Sequence, residues 1–317
     1  MMNIATLTMN PTIDVSFEVD RVFHTRKMRG RNERHDPGGG GINVARVFVR
    51  LGGSARCYYL SGGATGTALD GLLDLHQLVR TRIPIGGETR VSTSVFERDK
   101  GREYRFVTNG PVVSPSEWQS CLETITEARC DFLVVSGSLP QGVPGDFYAQ
   151  VANVANKRGI RVILDSSGPG LAQGLAGRGI FLVKPSIGEL RGLTSQDLAS
   201  EDAIAEAAAA IVRRGEAQHV AVTMGRDGGL LANASGELRL PAIPVKAESA
   251  VGAGDSFLAA MVHALASGQE AADAFRFGLA AGAAAAVSRG TDLAAPEDIR
   301  RLAASSGDLR MSEAGLT

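Results

Sequence analysis

The sequence predicts an α/β protein built on a mostly parallel sheet with helices on both faces, and three observations predict it. Short runs that are apolar throughout recur along the chain, as strands buried on both faces require. Helical patterns separate these runs, which is the signature of parallel pairing through crossover helices. Segments rich in Gly, Ser and Asp follow the strand candidates, at the strand ends where such sheets bind ligands.

Taken in order, the strand candidates are residues 4–9, 55–60, 132–136, 161–165, 181–184 and 219–223. The helix candidates are 42–51, 117–128, 145–157, 201–213, 255–266 and 271–288. Residues 13–19, 91–96 and 104–107 instead alternate apolar and polar side chains, as half-exposed antiparallel strands do. They are expected to form one small sheet over the site, a lid with segments near 12–36 and 88–108; functionless surface hairpins are the plainer alternative. No internal repeat appears, and residues 1–317 are read as one domain. The polar tail 305–317 is expected to be loosely ordered.

Bulk properties narrow the function classes. With 44% hydrophobic and 21% charged residues, the chain suits a soluble protein with a substantial core. A net charge of −1 and only 5% aromatic residues argue against nucleic acid and anionic membranes as partners. Cys57, Cys121 and Cys130 form no CxxC pair and read as reduced thiols of a cytoplasmic protein. Met1-Met2-Asn3-Ile4 opens without a basic region and apolar core, so no secretion signal is expected. The Ala-rich stretch 271–287 is interrupted by Asp273, Arg276 and glycines and reads as a buried helix, not a membrane span.

The most informative segment is Ser249-Ala250-Val251-Gly252-Ala253-Gly254-Asp255-Ser256, just ahead of an apolar helical run. Free N–H groups and the helix dipole at such a start favour an anion, and glycine lets a phosphate come close. An Asp beside that nest can take a proton from a hydroxyl while the amides of Gly252, Ala253 and Gly254 stabilise the phosphoryl group in transfer. That chemistry is phosphotransfer to an alcohol; an ordinary Asp-capped helix is the competing reading. Gly38-Gly39-Gly40-Gly41 runs into the helix start Ile42-Asn43-Val44-Ala45, which suits a backbone lying flat on a ligand with Asn43 aimed at it; a flexible linker, which seldom runs straight into an apolar helix, is the alternative. No Lys-Ser/Thr follows, so this is not a Walker A loop.

Asp14, after Asn10-Pro11-Thr12, can hold two sugar hydroxyls; an ordinary turn residue is the alternative. Lys27, Arg90 and Arg105 fall in or beside the lid segments. Isolated surface cations are the default, but three converging from a lid would capture an anionic group. Glu189, in Lys184-Pro185-Ser186-Ile187-Gly188-Glu189, could hold magnesium through water with Asp165 as a second acidic partner; a first-turn residue favoured by the helix dipole is the alternative. The turn Thr223-Met224-Gly225-Arg226-Asp227-Gly228 could follow nucleotide phosphates. The five histidines are scattered, and no Ser has an evident His–Asp partner.

Together these residues make the chain resemble the PfkB-type, ribokinase-like carbohydrate kinases over nearly its whole length. Both signatures are present, Gly38 to Ala45 and Val251 to Ser256. Collinear blocks such as Gly62-Gly63-Ala64-Thr65-Gly66, Tyr104-Arg105-Phe106-Val107 and Val135-Ser136-Gly137-Ser138 tighten the likeness toward the bacterial minor ATP-dependent 6-phosphofructokinases. The resemblance implies a three-layer α/β/α ribokinase-like domain with a small β-sheet lid, paired with a second lid in a homodimer. It implies ATP and magnesium, and phosphorylation of the C1 hydroxyl of fructose 6-phosphate. Tagatose-6-phosphate kinase and 1-phosphofructokinase are the nearest alternatives, and a non-catalytic sugar-phosphate sensor is the alternative of another class.

By the same resemblance Asp255 is the base and Gly252, Ala253 and Gly254 the anion hole. Asp14, Gly39 and Asn43 bind the sugar; Lys27, Arg90, Arg105 and Ser138 hold its phosphate, with Lys27 also near ATP. Lys184, Ser186, Thr223, Gly225 and Gly228 line the nucleotide site. Ser249, Val251, Ala285, Ser288 and Gly290 match a potassium site of some members. Two departures stand out: Ser186 replaces the usual Asn ahead of Glu189, and Asp292 stands where the phosphofructokinase relative carries a basic residue.

Overall fold

The computed structural model describes residues 3–247, 251–287 and 292–313, with side chains described as far as residue 305. A nine-stranded sheet carries the fold. Its strands include β1 (Asn3–Thr8), β4 (Ser54–Ser61), β5 (Val79–Pro84), β8 (Phe132–Ser136), β9 (Arg161–Asp165), β10 (Ile180–Val183) and β11 (Ala217–Thr223). These seven pair in parallel, in the order β11-β10-β9-β8-β1-β4-β5. The hairpin β12 (Gly229–Asn233) and β13 (Gly236–Leu240) extends the β11 edge antiparallel.

The apolar strands are buried on both faces because a separate core lies on each side. Along β8, Phe132 and Val134 join one core while Leu133 and Val135 join the other, as a period of two demands. The first core is completed by α1 (Gly40–Arg50), α8 (Ala253–Ala266), α9 (Ala271–Ala286) and α10 (Pro296–Glu313). Phe257 of α8 meets Phe275 of α9 edge to face at 5.6 Å, and Gly278 leaves room for that ring. The second core gathers α3 (Pro115–Thr126), α4 (Phe147–Asn156), α5 (Gly168–Ala176), α6 (Ile187–Thr194) and α7 (Glu201–Arg213).

A four-stranded second sheet, in the order β3-β2-β6-β7, is made from β2 (Thr12–Val19), β3 (Arg31–Gly38), β6 (Arg90–Glu97) and β7 (Arg102–Phe106). The three alternating segments are therefore strands of one sheet, with β3 as a fourth. Polar β3, with Pro37 near its end, carries no apolar pattern that would reveal it. β2 and β6 are parallel, a correction to the expected antiparallel pairing; β3 and β7 flank them antiparallel. α10 runs from Pro296 to Glu313, into the polar tail, with Pro at its start and Glu297 and Asp298 in its first turn.

The strand order turns at β1. The chain leaves β1 toward β4 and β5 and later resumes on its other side with β8. Ser136, Asp165, Lys184 and Thr223 all stand at or just beyond carboxyl ends on that side of the sheet, where a crevice is expected.

Candidate active site

The glycine run lies against the site because nothing larger fits there. A methyl group on Gly40 would come within 2.1 Å of Ser136 Oγ and 3.4 Å of Asp255 Oδ1. Gly39 holds φ at 109°, a conformation side chains rarely adopt, and joins the end of β3 to α1 as its N-cap. α1 then projects Asn43 from its first turn, and the Asn43 Nδ2 donates to Asp255 Oδ2 at 2.9 Å. Two segments more than 200 residues apart thus meet at one carboxylate.

Asp255 sits in the first turn of α8, whose N-cap is Gly252 in left-handed conformation (φ 70°). The Gly252–Gly254 amides open this helix, and Ser256 N–H closes the first turn on Gly252 O at 2.8 Å. Burial pushes the Asp255 carboxyl up to about 6; nearby Asp165 adds to the rise, while Asn43 and Lys184 oppose it. That value suits a group that accepts a proton near neutral pH.

The buried Lys184 ammonium pairs with Asp165 Oδ1 at 3.1 Å. Burial works against its charge, but Asp165, Asp255 and Glu189 outweigh that and leave it firmly protonated. The Gly254 backbone runs beside it: a Cβ there would lie 3.4 Å from Lys184 Nζ. A cation and the amino end of α8 therefore flank one position, as a bound phosphate requires.

Ser186 caps α6, accepting from Glu189 N–H at 3.2 Å, while Glu189 Oε2 accepts from Ser186 N–H at 2.7 Å and Ser186 Oγ–H at 2.9 Å. Ser186 bridges in parallel to Thr223, and the following turn closes with Gly228 N–H donating to Gly225 O at 3.2 Å. Lys184, Ser186, Thr223, Gly225 and Gly228 are thereby gathered on one rim.

On the small sheet, Asp14 projects from β2 so close to Gly38 that a Cβ there would lie 2.0 Å from Asp14 Oδ2. Burial raises Asp14 to about 6, the nearby Arg90 and Arg105 pull it down, and Asp36, directly across the strand pair, pushes it up. Arg90 is braced by Asn10 O at 2.9 Å and Thr108 O at 3.0 Å, and Asn10 Nδ2 reaches Ser138 Oγ at 3.5 Å. Asp14, Arg90, Arg105 and Ser138 therefore belong to one neighbourhood. Lys27 lies exposed on the segment between β2 and β3. Of the potassium positions, Ser249, Ser288 and Gly290 lie outside the described residues; Val251 precedes α8 and Ala285 is buried in α9.

Residues 7–298 match the family model described as pfkB family carbohydrate kinase. The chain belongs to the pfkB family of carbohydrate kinases. It is 41% identical over 300 residues to an ATP-dependent 6-phosphofructokinase isozyme 2 of Mycobacterium tuberculosis, covering 94% of this chain and 88% of the relative. The isozyme 2 of Escherichia coli is 38% identical over 303 residues, covering 95% and 98%. The crystal structure of Escherichia coli phosphofructokinase-2 in complex with fructose-6-phosphate aligns with a TM-score of 0.90 at 37% identity, covering 96% of this chain and 99% of the other. This pfkB-family chain thus shares its two-sheet ribokinase-like architecture with an enzyme of known structure.

Sequence reasoning missed Asn10, Asp36, Arg46 and Ser136, which stand among the site residues. Arg46 had a signal: it lies three residues after Asn43, on the same helix face. Asn10 had a weaker one in Asn10-Pro11, since Pro fixes the chain as it leaves β1.

Proposed function

We propose that this pfkB-family kinase transfers the γ-phosphoryl group of ATP to the C1 hydroxyl of fructose 6-phosphate. The observation that carries the reading is the Asp255 carboxylate, raised to about 6, at the glycine-lined amino end of α8 and hydrogen-bonded to Asn43. Asp255 takes the C1 hydroxyl proton as the sugar oxygen bonds to the γ-phosphorus. The bond from that phosphorus to the bridging oxygen breaks, and ADP keeps its electrons. The Gly252–Gly254 amides and Lys184 stabilise the transferred group.

Asp14, Gly39 and Asn43 hold the sugar, and Arg90, Arg105 and Ser138 its phosphate, with Lys27 joining only when the small sheet closes as a lid. Lys184, Ser186, Thr223, Gly225 and Gly228 hold the nucleotide. Among the described residues no cluster of three or more His, Cys, Asp or Glu forms a metal cage. The donors fit magnesium arriving with the nucleotide, an ion that keeps several waters and takes one or two carboxylates. Glu189 and Asp165 are those carboxylates, and Glu189 Oε1 lies outside the capping box. When bound, magnesium neutralises charge on the phosphate oxygens. The potassium loop belongs to the proposal through Val251 and Ala285. Exposed Phe96 and Phe106 on the small sheet, with Val107 just beyond it, support pairing with a second copy. Buried, unpaired Cys57 and Cys121 support a reducing, cytoplasmic setting.

The test is a coupled kinase assay across fructose 6-phosphate, tagatose 6-phosphate, fructose 1-phosphate and free hexoses. Preference for fructose 6-phosphate is expected. Turnover confined to free hexoses, or none with any sugar, would defeat the reading.

A further inference from the structure

Asn43 has two neighbours with opposite demands on its side-chain amide. Asp255 Oδ2 needs a donor and faces Nδ2 at 2.9 Å. Arg46 Nη1 can only donate and faces Oδ1 at 3.4 Å. One orientation of the amide satisfies both, and the reverse satisfies neither. The guanidinium that makes this choice is itself held: Nη1 also donates to Pro37 O at 3.1 Å, and Nη2 to Asp36 Oδ1 at 2.9 Å.

We propose that Arg46, locked by Asp36, is a positioning residue: it fixes the Asn43 amide so that its donor always meets the catalytic carboxylate. The inference rests on the phosphotransfer reading above. Stability is a poor account of the Arg46–Asp36 pair, whose side chains are only 3% and 7% exposed, because a buried ion pair is often no better than an apolar packing. Its forked geometry, reaching two strand-end groups and one helix side chain, is what an apolar residue could not supply.

The consequence follows from charge. With Arg46 gone, the amide can turn over and set Oδ1 against the ionised Asp255, which disfavours the carboxylate that must accept the proton. Asp255 is faced by Asn43 from α1, Asp165 from β9, Lys184 beyond β10 and Asp14 from β2. Arg46 is faced by Asp36 from β3, Asp14 from β2, Arg50 on its own helix, His76 just after α2 (Gly63–Leu75) and Asp292 ahead of α10, and Asp36 also by Arg34 and His76.

The test compares Arg46→Lys with the parent, measuring kcat for fructose 6-phosphate and ATP from pH 5.5 to 9. Lysine keeps a charge opposite Asp36 but not the fork. The expected result is about a tenfold fall in kcat, with the acid limb of the profile moved to higher pH and KM for ATP unchanged. In an Asn43→Ala background the same substitution is expected to change kcat less than about twofold, because the side chain it acts through is gone. An unmoved acid limb, or an undiminished loss in the Asn43→Ala background, overturns the proposal. Asp36→Asn, which keeps the acceptor and drops the charge, serves if Arg46→Lys does not fold: a smaller upward shift supports the proposal, and no shift overturns it. A parent protein inactive on every phosphosugar overturns the phosphotransfer reading and this inference with it; an active parent with an unmoved limb overturns this inference alone.

Discussion

Arg34 grips both carboxylate oxygens of Asp292, at 2.6 and 2.8 Å, across 258 positions of sequence. Arg34 lies on β3 of the small sheet, whereas Asp292 precedes Leu293, which packs on Gly252, and Ala294, whose N–H reaches Ser256 Oγ at 3.4 Å. The pair therefore ties the small sheet to the segment leaning on the amino end of α8. It also gives the departure at Asp292 a physical partner. Arg34 holds the Asp292 carboxyl below its usual range, so its stabilisation is present at neutral pH and lost as acid titrates through the lowered value. Both side chains are more than a third exposed. Arg34→Gln is accordingly expected to cost no more than about 1 kcal/mol by urea unfolding at pH 7, and less in 1 M salt. A larger loss that salt does not reduce would contradict a surface pair.

Asp255→Asn is expected to stabilise the fold at pH 8. The native carboxyl is raised from 3.8 to about 6, so the native state binds more protons than the unfolded chain between those values. Stability from this group therefore falls as pH rises through the window, and the penalty is complete above about 6. The variant lacks it and should gain on the order of 3 kcal/mol at pH 8, with the gap closing toward pH 4. Urea midpoints at both pH values check this; a gap independent of pH would contradict the burial account.

Arg105→Gln should raise KM for fructose 6-phosphate at least about tenfold and leave that for fructose nearly unchanged, a loss of roughly 1.4 kcal/mol specific to the phosphate. Arg90→Gln should do the same with an added stability cost, because Arg90 also braces Asn10 O and Thr108 O. Equal effects on both sugars, by steady-state kinetics, would remove these arginines from the phosphate site.

Glu189→Gln separates metal binding from helix capping. Glutamine can complete the capping box with Ser186, so the thermal midpoint should hold within a few degrees. The lost charge should raise the magnesium needed for half-maximal rate several-fold. Glu189→Ala should do both, losing about 1 kcal/mol for the broken cap. An unchanged magnesium requirement in both variants would leave Glu189 a capping residue alone.

Much of this was legible because the signals are local. Apolar strands such as Phe132–Ser136 and the glycine-to-Asp255 helix start carry their own pattern. β3 was hidden because a polar strand ending in Pro37 is stabilised by its neighbour, not by its own side chains. The parallel pairing of β2 with β6 was hidden because alternation reports a half-exposed face and says nothing of direction. At the site, Asp255 and Asn43 stood out singly, but the Asp36–Arg46–Asn43 relay depends on three elements folding together.

The most direct test follows product formation from ATP and fructose 6-phosphate by phosphorus NMR, for the parent and for Asp255→Asn. The account requires a bisphosphate newly phosphorylated at C1, and a rate at least about a hundredfold lower in the variant, the loss typical of a missing general base. Phosphate appearing elsewhere on the sugar, or near-parental turnover by Asp255→Asn, would contradict it.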